Sequence, residues 1–226
     1  MTAIDRNLAA CIDHTLLRPD AAGGDIDRLC REALDYGFGA VCVNGCWVRR
    51  CREALAGAAV KVACVVGFPL GAMAPEAKAF EAERAVADGA DELDMVLNLG
   101  ALKSGDAETV ERDIRGVVLA ARGRPVKVIL ETGLLDADQK VLACRLSQRA
   151  GAAFVKTATG FAPGSAATLE DVALLRRTVG PAMGVKASGG VRTRAEARRL
   201  LASGADRLGT SSGVAIVAGG DFVENA

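Results

Sequence analysis

The chain has 226 residues, with 28 Lys+Arg against 28 Asp+Glu and so no formal net charge. That balance leaves no basic footprint for nucleic acid or for an anionic membrane surface. Half of the residues are hydrophobic, a quarter are charged, and no apolar run reaches the ~18 to 20 residues of a transmembrane helix, which describes a soluble globular chain.

In chain order, strands are expected over 11–16, 40–43 and 61–66. A helix over 75–88 follows, opened by Pro75 and closed by Gly89. The next strand covers 92–97, then comes a helix over 106–121 and a strand over 126–131. Strands over 154–157 and 184–187, a helix over 193–202 and a strand over 207–209 complete the series. Runs such as KVACVV and KVIL are nearly continuous in apolar residues, the pattern of parallel strands buried on both faces. Gly37, Gly89, Gly151 and Gly204 each stand between a helix and a strand, where a left-handed residue ends the helix. Eight βα units in 226 residues is about 28 residues each, close to a compact (β/α)8 TIM barrel. The fold expected is α/β: one barrel domain over 1–226 with a short N-terminal helix, and a doubly wound open sheet as the alternative. The opening MTAIDRNLAACIDHTLL carries Asp5 and lacks the apolar core of a secretory signal. Seven cysteines without a CxxC read as reduced thiols in a cytoplasm. With only one histidine, His14, and no common metal spacing among Cys42, Cys46 and Cys51, no metal is expected.

In a barrel the active groups come from the C-terminal strand ends. Those ends supply Asp13, Cys42, Asp94, Glu131, Lys156, Lys186 and the 209–212 turn. Lys156 in AAFVKTATG and Lys186 in MGVKASGGV interrupt apolar strands, where a buried charge is costly. Either lysine alone could snorkel or pair with a carboxylate. Two of them near Asp94 point to amine chemistry. A lysine with pKa ~10.4 is neutral in only about 1 of 2,500 molecules at pH 7. A second ammonium ~5 Å away opposes protonation by roughly 3 kcal/mol at an effective dielectric near 20, and desolvation acts the same way. The expectation is a nucleophilic lysine activated by its lysine neighbour, with Asp94 transferring protons and Asp91 capping the strand start. Ser188-Gly189-Gly190 and Gly209-Thr210-Ser211-Ser212-Gly213 follow the last two strands, where barrels commonly bind phosphate; Gly160 adds a third contact.

The segments IDHTLL, AVCVN, VVGFPLG, DELDMVLNLGALKSG, VKVILETGLL, FVKTATGF, VKASGGVRT and RLGTSSGVAI resemble, in that order, the deoxyribose-phosphate aldolase family. The resemblance runs from Ile12 to about Val217. It implies a cofactor-free class I aldolase on a TIM barrel that reversibly cleaves 2-deoxy-D-ribose 5-phosphate to acetaldehyde and D-glyceraldehyde 3-phosphate. It implies Lys156 as the Schiff-base lysine, Lys186 as its perturbing and proton-transferring neighbour, and Asp94 as proton donor and acceptor through a water. Asp13 and Cys42 would line the site, Gly160, Gly189, Gly190, Ser211 and Ser212 would hold the phosphate, and Arg192 would add charge. A homodimer or homotetramer is the implied assembly. The chain departs from the family pattern at Asn44-Gly45-Cys46-Trp47, where many relatives carry an NPTW-like stretch, and at ETGLL, a common ETCLL. It ends GGDFVENA without the C-terminal tyrosine of some members; Tyr36 is its only tyrosine. Another phosphosugar isomerase, a transaldolase-like enzyme or a non-catalytic phosphosugar-binding barrel would share the phosphate loops.

Overall fold

The computed structural model describes residues 4–218. A short helix, α1 (Arg6–Ala10), leads into alternating strands and helices. These are β1 (Ile12–Leu16), α2 (Gly23–Tyr36), β2 (Ala40–Val43), α3 (Val48–Ala54), β3 (Lys61–Val66), α4 (Pro75–Ala87) and β4 (Glu92–Val96). They continue as α5 (Leu99–Lys103), α6 (Ala107–Ala120), β5 (Val126–Ile129), α7 (Ala137–Arg149), β6 (Phe154–Lys156) and α8 (Leu169–Val179). The last are β7 (Gly184–Ser188), α9 (Arg194–Ala202), β8 (Arg207–Thr210) and α10 (Gly213–Ala218). The strands pair parallel in chain order, and β8 returns to β1 with Asp13 opposite Gly209, closing the barrel. That last ladder separates the TIM barrel from an open doubly wound sheet.

Local chemistry sets the boundaries. Asp106 and Thr193, expected inside their helices, instead cap them, accepting from the N–H groups of Thr109 and Glu196. Gly37, Gly89, Gly151 and Gly204 all have positive φ, as their place after the helices requires. Strand β5 stops at Ile129 rather than 131 because Glu131 turns into a left-handed conformation at φ 54°. Asp91 accepts the Val62 N–H at 2.9 Å, securing the start of β3.

Successive strand side chains face opposite sides. The outward set, including Val41, Val62, Leu93, Val128, Val155, Val185 and Leu208, packs with the helices into one large core. His14 belongs to this layer; its Nε2 meets Glu32 at 2.6 Å and its ring packs 4.8 Å from Phe38. Inside the barrel the apolar cluster is small: Leu17, Cys42, Ala63 and Val65, with Phe68 against them. Ala40 and Ile129 also face inward, and charged side chains fill much of the remaining interior. Among the described residues no helix is long and apolar enough to cross a membrane.

One buried ion pair lies outside the barrel. Lys78 of α4 donates to Asp113 of α6 at 2.5 Å and to the Val96 carbonyl at 3.0 Å, with both side chains fully buried. Burial lowers the lysine pKa and raises that of the aspartate, so each depends on the other for its charge. Lys78→Met is expected to cost about 3–5 kcal/mol in urea unfolding, because it strands Asp113. Adding Asp113→Leu should restore most of the loss; a neutral single variant would show that the pair does not hold the two helices.

Candidate active site

The charged interior is a closed circuit. Arg207 on β8 pairs with Asp13 on β1, and Asp13 pairs with Lys186 on β7. Lys186 reaches Asp94 on β4 at 2.7 Å, and the other Asp94 oxygen takes Lys127 of β5 at 2.8 Å. Lys127 reaches Glu92 at 2.6 Å, and Arg207 closes the ring on Glu92 at 3.5 Å. Three cations alternate with three carboxylates, so the ring carries no net charge. Burial opposes ionisation of Asp94 and Asp13, but the surrounding cations prevail and hold both below the ordinary carboxylate range. Burial likewise opposes the charges on Lys127 and Lys186, and the carboxylates beside them raise both pKa values.

Lys156 hangs on this ring as a seventh ionisable group. Its Nζ lies 2.8 Å from Asp94 Oδ2, the oxygen that also accepts from Lys186. The register places Lys156 directly opposite Lys186. Lys127 and Lys186 are completely enclosed, whereas Lys156 lines the open cavity above. Gly209 makes this possible: a Cβ there would stand 3.0 Å from Lys186 Cε and 2.9 Å from Ser188 Cβ.

The expected ring of strand ends is thus two layers. Lys156, Gly160, Gly189, Gly190, Ser211 and Ser212 line a cavity of about 380 Å³, together with Arg18, Phe161 and Arg192. Asp13, Asp94, Lys186 and Cys42 lie beneath it and do not line it. Asp13 is occupied by Lys186 and Arg207 rather than facing the cavity. Cys42 is packed among Leu17, Ala63 and Val65, and burial pushes its thiol up. The simple repulsion expected between Lys186 and Lys156 also needs correction, because two carboxylates offset Lys186.

Above the ring, hydroxyls tie the loops together. Thr157 Oγ1 donates to the Ser188 carbonyl at 2.9 Å, and Thr210 Oγ1 donates to that of Val191 at 2.6 Å. Glu131 is buried against the loop after β6. It accepts from the Thr159 N–H at 3.2 Å, the Thr159 hydroxyl and the Ser165 hydroxyl at 2.5 Å. Ser165 in turn accepts the Gly160 N–H at 2.8 Å, so Gly160 gives the cavity room rather than an N–H donor. Gly189 has φ 95°, and a Cβ on it would meet the Ser165 carbonyl at 2.5 Å. Arg18 stands at the mouth, held by Asp20 at 2.8 Å and Asp25 at 2.5 Å. Glycine backbone, hydroxyls and two guanidinium groups make a wall suited to a compact anion, with a buried amine at its foot.

Lys127, Glu92 and Arg207 are absent from the expected site. Lys127 in VKVIL bears the same mark as Lys156, a lysine in an apolar strand. Tyr36 ends α2, at the opposite end of the barrel from the cavity. The final GGDFVENA segment lies outside the described residues. Cys46 is exposed while Cys42 and Cys51 are buried.

The family model described as DeoC/LacD family aldolase matches residues 8–219. The deoxyribose-phosphate aldolase of Brevibacillus brevis is 58% identical over 213 residues, covering 94% of this chain and 96% of its own. That of Streptococcus gordonii is 57% identical over 208 residues, covering 92% and 94%. Among solved structures, a tetrameric deoxyribose phosphate aldolase from Aeropyrum pernix superposes with a TM-score of 0.88 at 39% identity, covering 94% of this chain and 90% of that one.

Glu131→Gln would place an amide donor against donors. It is expected to destabilise the fold by about 1–3 kcal/mol and to speed amide hydrogen exchange over 157–166, leaving the exchange of β3 and β4 unchanged. Unchanged exchange over that loop would contradict the role of Glu131 as its anchor.

Proposed function

The chain belongs to the DeoC/LacD aldolase family, and from that premise we propose that it is a class I aldolase acting on 2-deoxy-D-ribose 5-phosphate. The observation that carries this reading is Lys156, an amine bonded to the charged interior yet open to a cavity with an anion-suited wall. The products are acetaldehyde and D-glyceraldehyde 3-phosphate, and the reaction is reversible. Gly189, Gly190, Ser211 and Ser212 receive the phosphate, with Arg18 and Arg192 adding charge; the aldehyde end then points down to Lys156.

Neutral Lys156 Nζ adds to C1 of the open-chain sugar. The carbinolamine loses water to give an iminium, whose positive charge lies beside Asp94. A base takes the C3 hydroxyl proton through a water in the cavity. The C2–C3 electron pair moves toward the iminium, leaving a neutral enamine as glyceraldehyde 3-phosphate departs. Protonation of C2 restores an iminium, and water releases acetaldehyde and the amine. The iminium nitrogen is the electron sink. Asp94 is fully buried and accepts from three lysines, so it serves best at the nitrogen, stabilising the iminium and passing protons between Lys156 and Lys186 through their shared Oδ2.

A homodimer or homotetramer is proposed for the assembly, on the precedent of the tetrameric Aeropyrum pernix relative. Exposed apolar side chains such as Leu70, Phe80 and Leu119 would suit such contacts. A cytoplasmic location is proposed from seven free thiols.

Borohydride reduction with deoxyribose 5-phosphate, read by peptide mass spectrometry, tests the central step. The expected adduct is on Lys156 and is lost, with cleavage falling at least about 10³-fold, in Lys156→Ala. Active wild-type protein without a Lys156 adduct would contradict the Schiff-base reading.

A further inference from the structure

We propose that Lys127, Glu92 and Arg207 are positioning residues whose charges, through the closed ring beneath the cavity, decide whether Lys156 is a neutral amine. This rests on Lys156 being the Schiff-base lysine. The argument is one of parity. Lys127, Lys186 and Arg207 match Asp13, Glu92 and Asp94 one for one, each linked to at least two opposite charges of the ring, and Lys127 also stands 3.8 Å from Asp13. All six side chains lie outside the cavity lining. A protonated Lys156 is therefore the unmatched seventh charge, and a neutral Lys156 leaves the interior balanced. In a poorly solvated interior an unmatched cation is disfavoured.

The groups facing Lys156 come from most of the barrel. Asp13 on β1, Cys42 on β2, Glu92 and Asp94 on β4, Lys127 on β5, Lys186 on β7 and Arg207 on β8 surround it from below. The buried inward positions of β3 are Ala63 and Val65, which carry no charge, and Lys61, on the same face of the strand, is exposed at the far end of the barrel. Arg18 and Arg192 face it from the cavity mouth. Lys127 is the informative member, because it bonds Asp94 through the oxygen that Lys156 does not use. Its removal takes away one cation without removing the Lys156–Asp94 bond. Three carboxylates would then share two cations, and Lys156 would be recruited as the third cation. Loss of Glu92 does the reverse, leaving an extra cation in the ring and opposing protonation of Lys156.

The sign of the effect on activity follows. Cleavage needs the neutral amine, which is lost as pH falls. Lys127→Met should move the acid limb of kcat/KM upward by about 1–2 pH units, and Glu92→Gln should move it downward. The double variant removes one charge of each sign and should return the limb near its wild-type position, while Lys127→Arg should leave it in place. The profiles are measured on the full chain between pH 5 and 9, with borohydride trapping of Lys156 at each pH. If Lys127→Met does not fold, Glu92→Gln and the double variant still decide the sign. A fall in rate with the acid limb unmoved in every variant, Lys156 still being trapped, would overturn the charge-parity proposal alone. Active wild-type enzyme without the Lys156 adduct would instead overturn the Schiff-base reading on which it rests.

Discussion

A charge placed inside a closed barrel must find its opposite there, because water cannot follow it. That constraint organises this molecule. Moving a carboxylate or ammonium out of water costs several kcal/mol even after relaxation, and the interior holds seven such groups. The chain meets the cost with alternation: each ring member touches at least two partners of opposite sign, contributed by β1, β4, β5, β7 and β8. The circuit also spans the seam where β8 meets β1, since Arg207 and Asp13 lie on those two strands. A one-residue slip in any of these strands would turn its charge outward into the apolar helix layer. The ring therefore helps to specify the register as well as the site.

The same constraint divides the barrel into a charged floor and an open mouth. Below, the ring and the small apolar cluster around Cys42 fill the interior. Above, the loops after β6, β7 and β8 form a cavity whose polar groups are fixed by hydroxyl bonds and by Glu131. Lys156 sits at the boundary. From below it meets the Asp94 carboxylate, which under the proposed mechanism would stabilise a cationic iminium; above it lies the cavity in which the substrate would bind. An amine enclosed as deeply as Lys186 could not be reached, and one in open solvent would be an ordinary ammonium.

Much of this was legible in the residues. The eight strands follow from short apolar runs, helix ends from Pro75 and the glycines after the helices, and the meeting of Lys156 and Lys186 at Asp94 from two lysines in strands near an aspartate. Parity along a strand was harder to see. Lys127 lies one strand position from Val128 in a run apolar enough to pass as core, and only the barrel register shows it meeting Asp94. Glu92 and Arg207 begin their strands, where a charged residue ordinarily faces solvent. The pairing of Asp13 with Arg207 joins residues 194 positions apart, a separation at which local sequence carries no geometric signal. The commitment of the Gly160 N–H to Ser165 depends on a loop conformation set by Glu131, which propensity does not reveal.

The most direct measurement is competitive trace labelling of the native chain with acetic anhydride across neutral and mildly alkaline pH, with each lysine followed by peptide mass spectrometry. The anhydride attacks only neutral, reachable amines. The account predicts that Lys156 is acylated at neutral pH ahead of the exposed Lys61, while Lys127 and Lys186 remain unmodified until the protein unfolds. Labelling of Lys186 before Lys156, or a Lys156 that stays unreactive until the surface lysines are consumed, would contradict it.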